Sequence, residues 1–254
     1  MPRWQAWLGE HDMTEPELAG QTVVLIGGSS GIGLETARRA RASGAEVIIT
    51  GRNPGRLQEA AQAVEAQSTA AFDVSDTRAV QRFFSDLQAP IDHVLVTAGR
   101  PRYGPLLEMT SADVREALSD HVVMALEVAR SAAGKMKSGG TLLFMGGVTR
   151  QVGQGLGITA AATAALPPFA AALAVELAPV RVNLIAAGFV DTPLSASLLG
   201  DQLERRRDEL RDTLPIGRVV SAADVAALAV HIMSNTALTG ATFTIDGGQQ
   251  LVFA

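Results

Sequence analysis

The fold of this chain is decided by residues 22–33, which read TVVLIGGSSGIG, and by their continuation LETARRA over 34–40. A run of apolar residues bounded by turn formers is typical of a strand buried on both faces. The residues from Ile32 onward place Ile32, Thr36, Ala37 and Ala40 on one side of a helix. The glycines between them permit a tight reversal and let backbone amides approach a pyrophosphate. The stretch predicts a dinucleotide-binding strand, turn and helix, the alternative being glycines that serve only turns and packing.

The composition bounds the class of protein. With 254 residues, 47% of them hydrophobic, the chain is long enough for one large domain, which we expect over 21–254 after an N-terminal extension over 1–20. The formal net charge of -5 argues against a nucleic-acid partner, because no basic surplus is left to neutralise phosphates. The absence of cysteine excludes disulfides and thiolate chemistry. No metal site is predicted.

The first residues and the apolar runs bear on location. We recognise neither a secretory leader nor an apolar run of the ~20 residues that span a membrane, and therefore expect a cytoplasmic protein without a membrane partner. The extension carries Trp4 and Trp7. It is either a loosely ordered tail or a segment whose indoles dock on the domain or on a neighbouring subunit, since tryptophan supplies a large contact area.

Strand and helix patterns alternate along the rest of the chain, as in a single-domain, Rossmann-like α/β fold with a doubly wound parallel sheet. Two linked mononucleotide-binding halves plus one added strand imply seven strands in the order 3-2-1-4-5-6-7. The strands are predicted at 22–26, 46–50, 70–74, 91–96, 141–145, 181–185 and within 240–248. A long helix is predicted over 113–136, and Pro167-Pro168 requires a later helix to kink or to begin there.

The spacing of the glycine turn, Gly27-x-x-x-Gly31-x-Gly33, resembles that of the short-chain dehydrogenase/reductase family. It differs from the Gly-x-Gly-x-x-Gly turn of two-domain dehydrogenases. Four later stretches resemble the family in the same order, namely Asp73-Val74, Thr97-Ala98-Gly99, the loop 186–193 and the terminal strand, so the resemblance covers about residues 20–251. It implies an oxidoreductase-type domain that binds a nicotinamide cofactor, accepts a small molecule and forms a dimer or tetramer of identical chains.

The resemblance also implies which residues contact the cofactor. Asp73 and Val74 match the residues beside the adenine ring. Thr97 stands where the family usually has asparagine, and Ala187 replaces the usual proline of the loop over the nicotinamide. The implied contacts by motif are Gly27, Ser29, Ser30, Gly31, Ile32, Gly33, Asp73, Val74, Thr97, Ala98, Gly99, Gly188, Val190 and Thr192.

The residue after the second strand predicts the cofactor type. That strand ends at Gly51-Arg52-Asn53 without an acidic residue. An acid at this place binds the adenosine ribose hydroxyls, whereas arginine favours a 2′-phosphate. With Ser29 and Ser30 as hydroxyl partners, Arg52 therefore predicts NADP(H) in preference to NAD(H). The alternative is that Arg52 points to solvent.

The residues that the family uses for carbonyl reduction are missing. The resemblance places its tyrosine acid on Thr159, its lysine on Thr163, its serine on Gly146 or Gly147, and its helix asparagine on His121. Independently of this alignment, no Tyr-x-x-x-Lys exists, because the chain has one tyrosine, Tyr103, and its lysines are Lys135 and Lys137 in the turn before the fifth strand. A threonine hydroxyl is a far weaker acid than a phenol of pKa about 10. No catalytic residue is therefore assigned by motif.

A few residues are candidate replacements: Tyr103, His121 and Thr159, with Arg100 or Arg102 beside them. A lone histidine on a helix or a loop tyrosine also serves structural roles. Two hypotheses follow. The chain is a nucleotide-binding protein with a degenerate active site that acts as a binding, regulatory or partner subunit. Alternatively it is an atypical oxidoreductase or lyase-like enzyme that uses non-standard residues.

Overall fold

The computed structural model describes residues 17–88, 90–148 and 155–252. Trp4 and Trp7 lie outside the described residues, whereas Leu18, near the end of the predicted extension, is fully buried in the core. The strands are β1 Thr22–Ile26, β2 Glu46–Gly51, β3 Ser68–Ala71, β4 Ile91–Val96, β5 Met136–Gly147, β6 Arg181–Ala187, β7 Val190–Asp191, β8 Val220–Ser221 and β9 Thr242–Ile245.

Seven of these strands form one parallel sheet in the order β3-β2-β1-β4-β5-β6-β9. This order confirms the predicted fold, with β9 as the seventh strand. The two-residue strands β7 and β8, which were not predicted, pair in parallel as a separate small sheet.

Helices cover both faces of the sheet. They are α1 Gly31–Ala42, α2 Pro54–Val64, α3 Thr77–Asp86, α4 Ser111–Leu118, α5 Met124–Ala133, α6 Gly157–Ala164, α7 Leu166–Glu176, α8 Pro193–Leu199, α9 Leu203–Thr213, α10 Ala222–Ser234 and α11 Gln249–Val252. Along β1, Val23 and Leu25 face the core layer under α1, α2 and α10, while Val24 and Ile26 face the layer under α3, α5 and α7. Burial on both faces explains why β1 is apolar throughout.

Two predicted strands differ from the observed ones by three or more residues at one end. The third strand ends at Ala71 rather than at residue 74, because the Asp73 carboxylate accepts hydrogen bonds from the amide and hydroxyl of Ser75 and turns the chain. The fifth strand begins at Met136 rather than at residue 141. Lys137 is therefore a strand residue, where its Nζ lies 2.9 Å from a carboxylate oxygen of Asp92, and not part of a turn.

The predicted long helix over 113–136 is wrong as a single element. Thr110 caps its start through a hydrogen bond from the amide of Asp113, so α4 begins at Ser111. A π-helical turn over Ser119–Val123 then separates α4 from α5, which ends at Ala133. Apolar spacing alone did not reveal this turn, because apolar residues recur at spacings of three and four from Val114 to Ala129, as in a continuous helix.

The double proline breaks its helix as predicted: α6 ends at Ala164 and α7 begins at Leu166. Residues 157–176 nevertheless form a 20-residue helical stretch that is long and apolar enough to cross a membrane by length and composition. The expectation that no apolar run approaches this length is therefore wrong. The composition has a structural cause, since Leu166, Ala170 and Leu173 of α7 are buried against the sheet.

Candidate functional site

The candidate site lies where the order of the sheet reverses, between β1 and β4, beyond the carboxyl ends of the strands. Gly27 follows β1 with φ of +98°, and a Cβ there would lie 2.8 Å from Thr97 Oγ1, beyond the end of β4. A Cβ on Gly33 would lie only 2.3 Å from the Gly27 carbonyl oxygen. These glycines bring the start of α1 against the turn more closely than any side chain allows. Such a crevice is where open α/β sheets bind their ligands.

The start of α1 fits an anionic group. Ser30 precedes the helix in an extended conformation, and its side chain makes no capping hydrogen bond. Asp76, which directly precedes α3, by contrast accepts hydrogen bonds from two amides of that helix. The first turn of α1 also contains no acidic residue. Its amides and the positive end of its dipole are thus left to a phosphate group, so the residues present fit a dinucleotide pyrophosphate.

The segment after β4 is tied to the glycine turn. The amides of Thr97 and Ala98 donate to the Ile26 carbonyl, and Thr97 Oγ1 donates to the Gly27 carbonyl at 3.1 Å. Gly99 adopts φ of +126° and lies against the carbonyl of Asp120, 3.3 Å from the position of a Cβ. Although threonine is shorter than the family's usual asparagine, Thr97 therefore still forms a hydrogen bond between the ends of β4 and β1.

The loop after β6 closes the crevice from the other side. A Cβ on Gly188 would lie 2.7 Å from Cβ of Asp246, and the Phe189 amide donates to Oε1 of Gln249 at 2.8 Å. Thr192 caps α8, and its Cβ lies 3.5 Å from the position of a Cβ on Gly31. The loop and the glycine turn are therefore neighbours. Sequence reasoning missed Asp246 and Gln249, because nothing local marks their contact with this loop.

The residues predicted at the adenosine end also come together. Arg52 Nη1 lies 3.6 Å from a carboxylate oxygen of Asp73, and both side chains are about half exposed. The pKa of the Asp73 carboxyl is held below its ordinary value, chiefly by the hydrogen bond from the Ser75 amide and further by the Ser75 hydroxyl and Arg52. Ser29 Oγ lies 2.8 Å from the position of a Cβ on Gly51, directly before Arg52. Ser29 and Arg52 therefore both lie at the end of β2.

The positions matched to the family's catalytic residues are occupied by groups that bond to the backbone. Thr159 Oγ1 donates to the Arg102 carbonyl, and Thr163 Oγ1 donates to the Thr159 carbonyl at 2.8 Å. A Cβ on Gly147 would lie 3.5 Å from Thr163 Cγ2, whereas a Cβ on Gly146 would lie 3.2 Å from Leu166 Cδ1. Of the two glycines, Gly147 is thus the one that faces Thr163.

The segment after β4 also covers the start of α6. The Gly104 amide donates to the Gly155 carbonyl at 2.9 Å, and a Cβ on Gly157 would lie 2.7 Å from Leu106 Cδ1. Arg102 forms ion pairs with Asp113 and Glu116 of α4. Residues 102–106 are therefore held between α4 and α6, directly beside Thr159.

His121 and Tyr103 differ in what they offer. His121 Nδ1 lies 2.9 Å from the Ala117 carbonyl, which only accepts, so Nδ1 carries the proton and neutral His121 presents Nε2 as an acceptor. It lies on the π-helical turn, a feature frequent at functional sites. Tyr103 is 52% exposed, and partial burial raises the pKa of its phenol above the ordinary value. Its hydroxyl is therefore a weaker acid than usual.

The lysines lie away from this edge. Lys135 Nζ donates to the carbonyls of Ser85 and Leu87 at the end of α3, and Lys137 pairs with Asp92 at the beginning of β4. Sequence reasoning also missed Asp120, the neighbour of His121 on the π-helical turn. Burial raises the pKa of the Asp120 carboxyl. An acid in a helix gives no sequence signal of this placement.

The sheet order, the glycine turn and the uncapped start of α1 define a Rossmann-type nucleotide-binding protein. Known proteins narrow this class. The profile of the family described as Enoyl-(Acyl carrier protein) reductase matches residues 27–250. The 3-oxoacyl-(acyl-carrier-protein) reductase MabA of Mycobacterium avium is 30% identical over 247 residues, which cover 93% of this chain and 92% of that protein.

Solved structures also match the chain over nearly its whole length. The MalC reductase/Diels-Alderase from Malbranchea aurantiaca has a TM-score of 0.87 at 25% identity, covering 93% of this chain and 99% of that one. The structure of BdcA in complex with NADPH has a TM-score of 0.81 at 28% identity, covering 91% and 95%. The chain therefore belongs to the short-chain dehydrogenase/reductase family of oxidoreductases, and a nicotinamide cofactor is supported for it.

Proposed function

We propose that this protein binds NADP(H) in the crevice between β1 and β4 but does not reduce carbonyls by the family's usual route. The observation that carries the proposal is a contrast within one site. The glycine turn lacks the side chains that would keep a phosphate away from its backbone. Thr159 and Thr163, at the positions matched to the acid and the lysine, instead donate hydrogen bonds from their hydroxyls to backbone carbonyls. The protein then acts as a binding, regulatory or partner subunit.

The preference for NADP(H) is argued from Arg52 and Ser29. The ion pair of Arg52 with Asp73 is long and exposed, and such pairs contribute about 0–1 kcal/mol. A phosphate therefore competes easily for the guanidinium. BdcA, which is 28% identical, was solved with NADPH bound. The glycine turn and loop residues named above, from Gly27 to Gly33, Thr97 to Gly99 and Gly188 to Thr192, hold the rest of the cofactor in this proposal.

The inactivity follows from the energetics of carbonyl reduction. A bound nicotinamide supplies the hydride, and the substrate oxygen then needs a proton or a donor to stabilise its charge. General acid catalysis contributes ~10²- to 10⁴-fold, and loss of an oxyanion donor costs ~10²- to 10³-fold. Thr159 offers a hydroxyl that is already bonded to Arg102, and Gly147 offers no side chain. Either loss is enough to make turnover slow.

The test combines binding with turnover. Calorimetric titration of the purified protein with NADPH and NADH measures affinity, and NADPH oxidation is followed on a panel of simple ketones and aldehydes. The proposal expects tighter binding of NADPH and negligible oxidation. Equal affinities for NADPH and NADH would contradict the preference for NADP(H). Rapid NADPH oxidation on these carbonyls would contradict the proposed lack of carbonyl reduction.

A second candidate function is an atypical oxidoreductase or lyase-like enzyme. The observation that favours it is the Nε2 acceptor of His121 on the π-helical turn. The relative MalC is described as a reductase/Diels-Alderase. His121→Asn and Tyr103→Phe distinguish the candidates, because turnover that either variant removes would establish a non-standard route.

We further propose a cytoplasmic homo-oligomer, a dimer or tetramer, with neither a nucleic-acid nor a membrane partner. Self-association is supported by the apolar stretch 157–176, of which a large part is not buried within the chain; Val175 alone is 79% exposed. An exposed apolar helix face of this kind is typical of a surface that a partner covers. A small molecule remains the further ligand expected beside the cofactor.

A further inference from the structure

The segment that follows β4 lies against Thr159, the residue at the position matched to the family's proton donor. Thr159 Oγ1 donates to the Arg102 carbonyl. A threonine hydroxyl has one hydrogen to donate, and this backbone carbonyl occupies it. The oxygen of a ketone or an aldehyde is an acceptor of the same kind. Residues 102–106 therefore stand where a carbonyl compound would have to stand in order to accept from Thr159.

Two glycines at the start of α6 form the seat of this segment. Gly155 adopts φ of +81°, a value that favours glycine, and its carbonyl accepts from the Gly104 amide at 2.9 Å. A Cβ on Gly157 would lie 2.7 Å from Leu106 Cδ1, so a side chain at residue 157 would require Leu106 to move away. The absence of side chains at both positions therefore lets the segment approach α6 closely.

Polar contacts rather than apolar burial hold the segment in its seat. Tyr103 and Leu106 are 52% and 55% exposed, so apolar burial contributes little at either residue. The Arg102 side chain, which is 33% exposed, pairs with carboxylates of α4. Single hydrogen bonds and partly exposed ion pairs each change an equilibrium by only a few-fold. A ligand that offers its own carbonyl oxygen to Thr159 can therefore displace the segment.

We propose that residues 102–106 are an internal plug that fills the place of a carbonyl ligand beside Thr159, and that a ketone or aldehyde enters only by displacing this plug. The closure is separate from the loss of the acid and the lysine, because it acts on binding and not on proton transfer. The assignment of this place to a carbonyl ligand rests on the proposed function, whereas the contacts of the plug do not.

The first test follows the plug in the full chain without cofactor. Hydrogen exchange at the Gly104 amide reports its opening, and Tyr103, the single tyrosine of the chain, gives one fluorine NMR signal after labelling with 3-fluorotyrosine. Thr159→Val removes the hydroxyl that holds the Arg102 carbonyl. We expect this variant to accelerate the exchange about two- to tenfold, the range of one hydrogen bond, and to shift the Tyr103 signal.

Two control variants separate the plug from the stability of α6. Thr159→Ser keeps a hydroxyl at residue 159 and is expected to exchange at a rate close to that of the wild type. Thr163→Val removes the next hydroxyl of α6, which donates only to carbonyls of its own helix, and is expected to do the same. Unchanged exchange in Thr159→Val, or equal acceleration by Thr163→Val, would overturn the plug.

The second test measures the binding of acetophenone to the NADPH-loaded protein through the Tyr103 fluorine signal. Arg102→Ala removes the ion pairs of the plug but leaves Thr159 and the backbone carbonyl of residue 102 in place. We expect this variant to bind acetophenone about two- to fivefold more tightly than the wild type. Arg115→Ala, which removes an exposed arginine of α4, is expected to leave the affinity unchanged. NADPH oxidation is expected to stay negligible throughout, because neither variant restores an acid or a lysine.

The outcomes distinguish the plug from the proposed function. Failure of NADPH to bind would contradict the proposed function and leave the cofactor-free result standing, and the acetophenone titration is then made without cofactor. Equal acetophenone affinities in the wild type and Arg102→Ala would overturn the plug as a barrier to carbonyl ligands. Absence of acetophenone binding in all three proteins would overturn the assignment of this place to a carbonyl ligand.

Discussion

At the residue scale, Arg52 shows how a weak contact leaves a charge available. Its pair with Asp73 is 3.6 Å long and exposed on both sides, so the guanidinium exchanges partners at little cost. The Asp73 carboxylate also accepts hydrogen bonds from the amide and hydroxyl of Ser75, which stabilise the turn after β3. A 2′-phosphate beside Ser29 would therefore take Arg52 without disturbing the end of β3.

The first prediction concerns this arginine. Arg52→Ala is expected to weaken NADPH binding about 10- to 100-fold, since hydrogen bonds to charged groups contribute about 1.5–3 kcal/mol. NADH binding is expected to change less than threefold. Calorimetry with both cofactors measures the difference, and Arg78→Ala, which removes an exposed arginine from α3, is the matched control. Equal losses for the two cofactors would contradict the assignment.

The second prediction concerns His93, a buried histidine on β4. Its Nε2 lies 2.5 Å from Oε1 of Gln21, and its Nδ1 has no hydrogen-bond partner among the described residues. Burial is the largest cause that lowers its pKa from 6.5 to about 4; Arg181 and Lys137 add to it and Asp92 opposes it. The unfolded chain therefore takes up a proton below pH 6.5 that the folded chain refuses until about pH 4.

The free energy of unfolding should fall between these two pH values by about 3 kcal/mol in total from this residue. Above pH 6.5 both states are neutral at His93 and no dependence arises from it. Denaturant titrations at several pH values measure the slope, and His93→Gln is expected to flatten it. His231→Gln, on the exposed face of α10, serves as control. A slope that His93→Gln leaves unchanged would contradict the assignment.

At the element scale, the junction of β1 and α1 depends on one missing side chain. A Cβ on Gly33 would lie 2.3 Å from a backbone oxygen, which cannot move aside like the tip of a flexible side chain. Gly33→Ala is therefore expected to cost about 1–3 kcal/mol of stability and to weaken NADPH binding, because α1 must shift away from the turn. Gly134→Ala, where a Cβ would meet nothing within 4 Å, is the matched control.

Thermal unfolding and NADPH titration of the two alanine variants measure both effects. Loss of stability in Gly33→Ala with unchanged cofactor affinity would separate the glycine's packing role from binding. Equal behaviour of the two variants would contradict the close packing of α1 on the turn.

The fourth prediction concerns α6, whose Thr159 and Thr163 lie one helical turn apart. Gly147→Ser combined with Thr159→Tyr and Thr163→Lys is expected to raise NADPH oxidation on simple carbonyls by ~10²-fold or more, the range of general acid catalysis. The reason is that Gly147 faces Thr163 and has room for a side chain. The same triple change with Tyr replaced by Phe is the control. No gain in the triple variant would mean that the break at Ala165 aims α6 away from the crevice.

At the scale of the whole molecule, the apolar stretch 157–176 predicts self-association. Light scattering at micromolar concentration is expected to give the mass of a dimer or tetramer. Val175→Glu, which puts a charge on a side chain that is 79% exposed, should lower that mass if the exposed face is the contact. Glu65→Gln, a change on the surface of the opposite helical layer, is the control. A monomeric mass for the wild-type chain would contradict the prediction.

The strands and their order could be predicted because each depends on a local apolar run and on the handedness of crossovers. The break at Pro167-Pro168 is equally local, since proline lacks the amide that a helix interior needs. Strand ends were less predictable. Residues 136–140 read MKSGG, a polar and glycine-rich start that joins β5 only because β4 lies beside it. The π-helical turn left no trace in the apolar spacing.

The features of the candidate site also divide into those that the sequence determined and those that only the tertiary structure decided. The amino-acid sequence by itself determined the glycine turn, the missing acid after β2 and the absence of Tyr-x-x-x-Lys, because these are identities and spacings within short stretches. Only the tertiary structure decided that Thr159 bonds to Arg102, that Gly147 rather than Gly146 faces Thr163, and that Arg207 holds Asp191. Each of these contacts joins segments that the sheet topology brings together across many intervening residues, and a side chain's partner depends on that meeting rather than on its own neighbours in the chain.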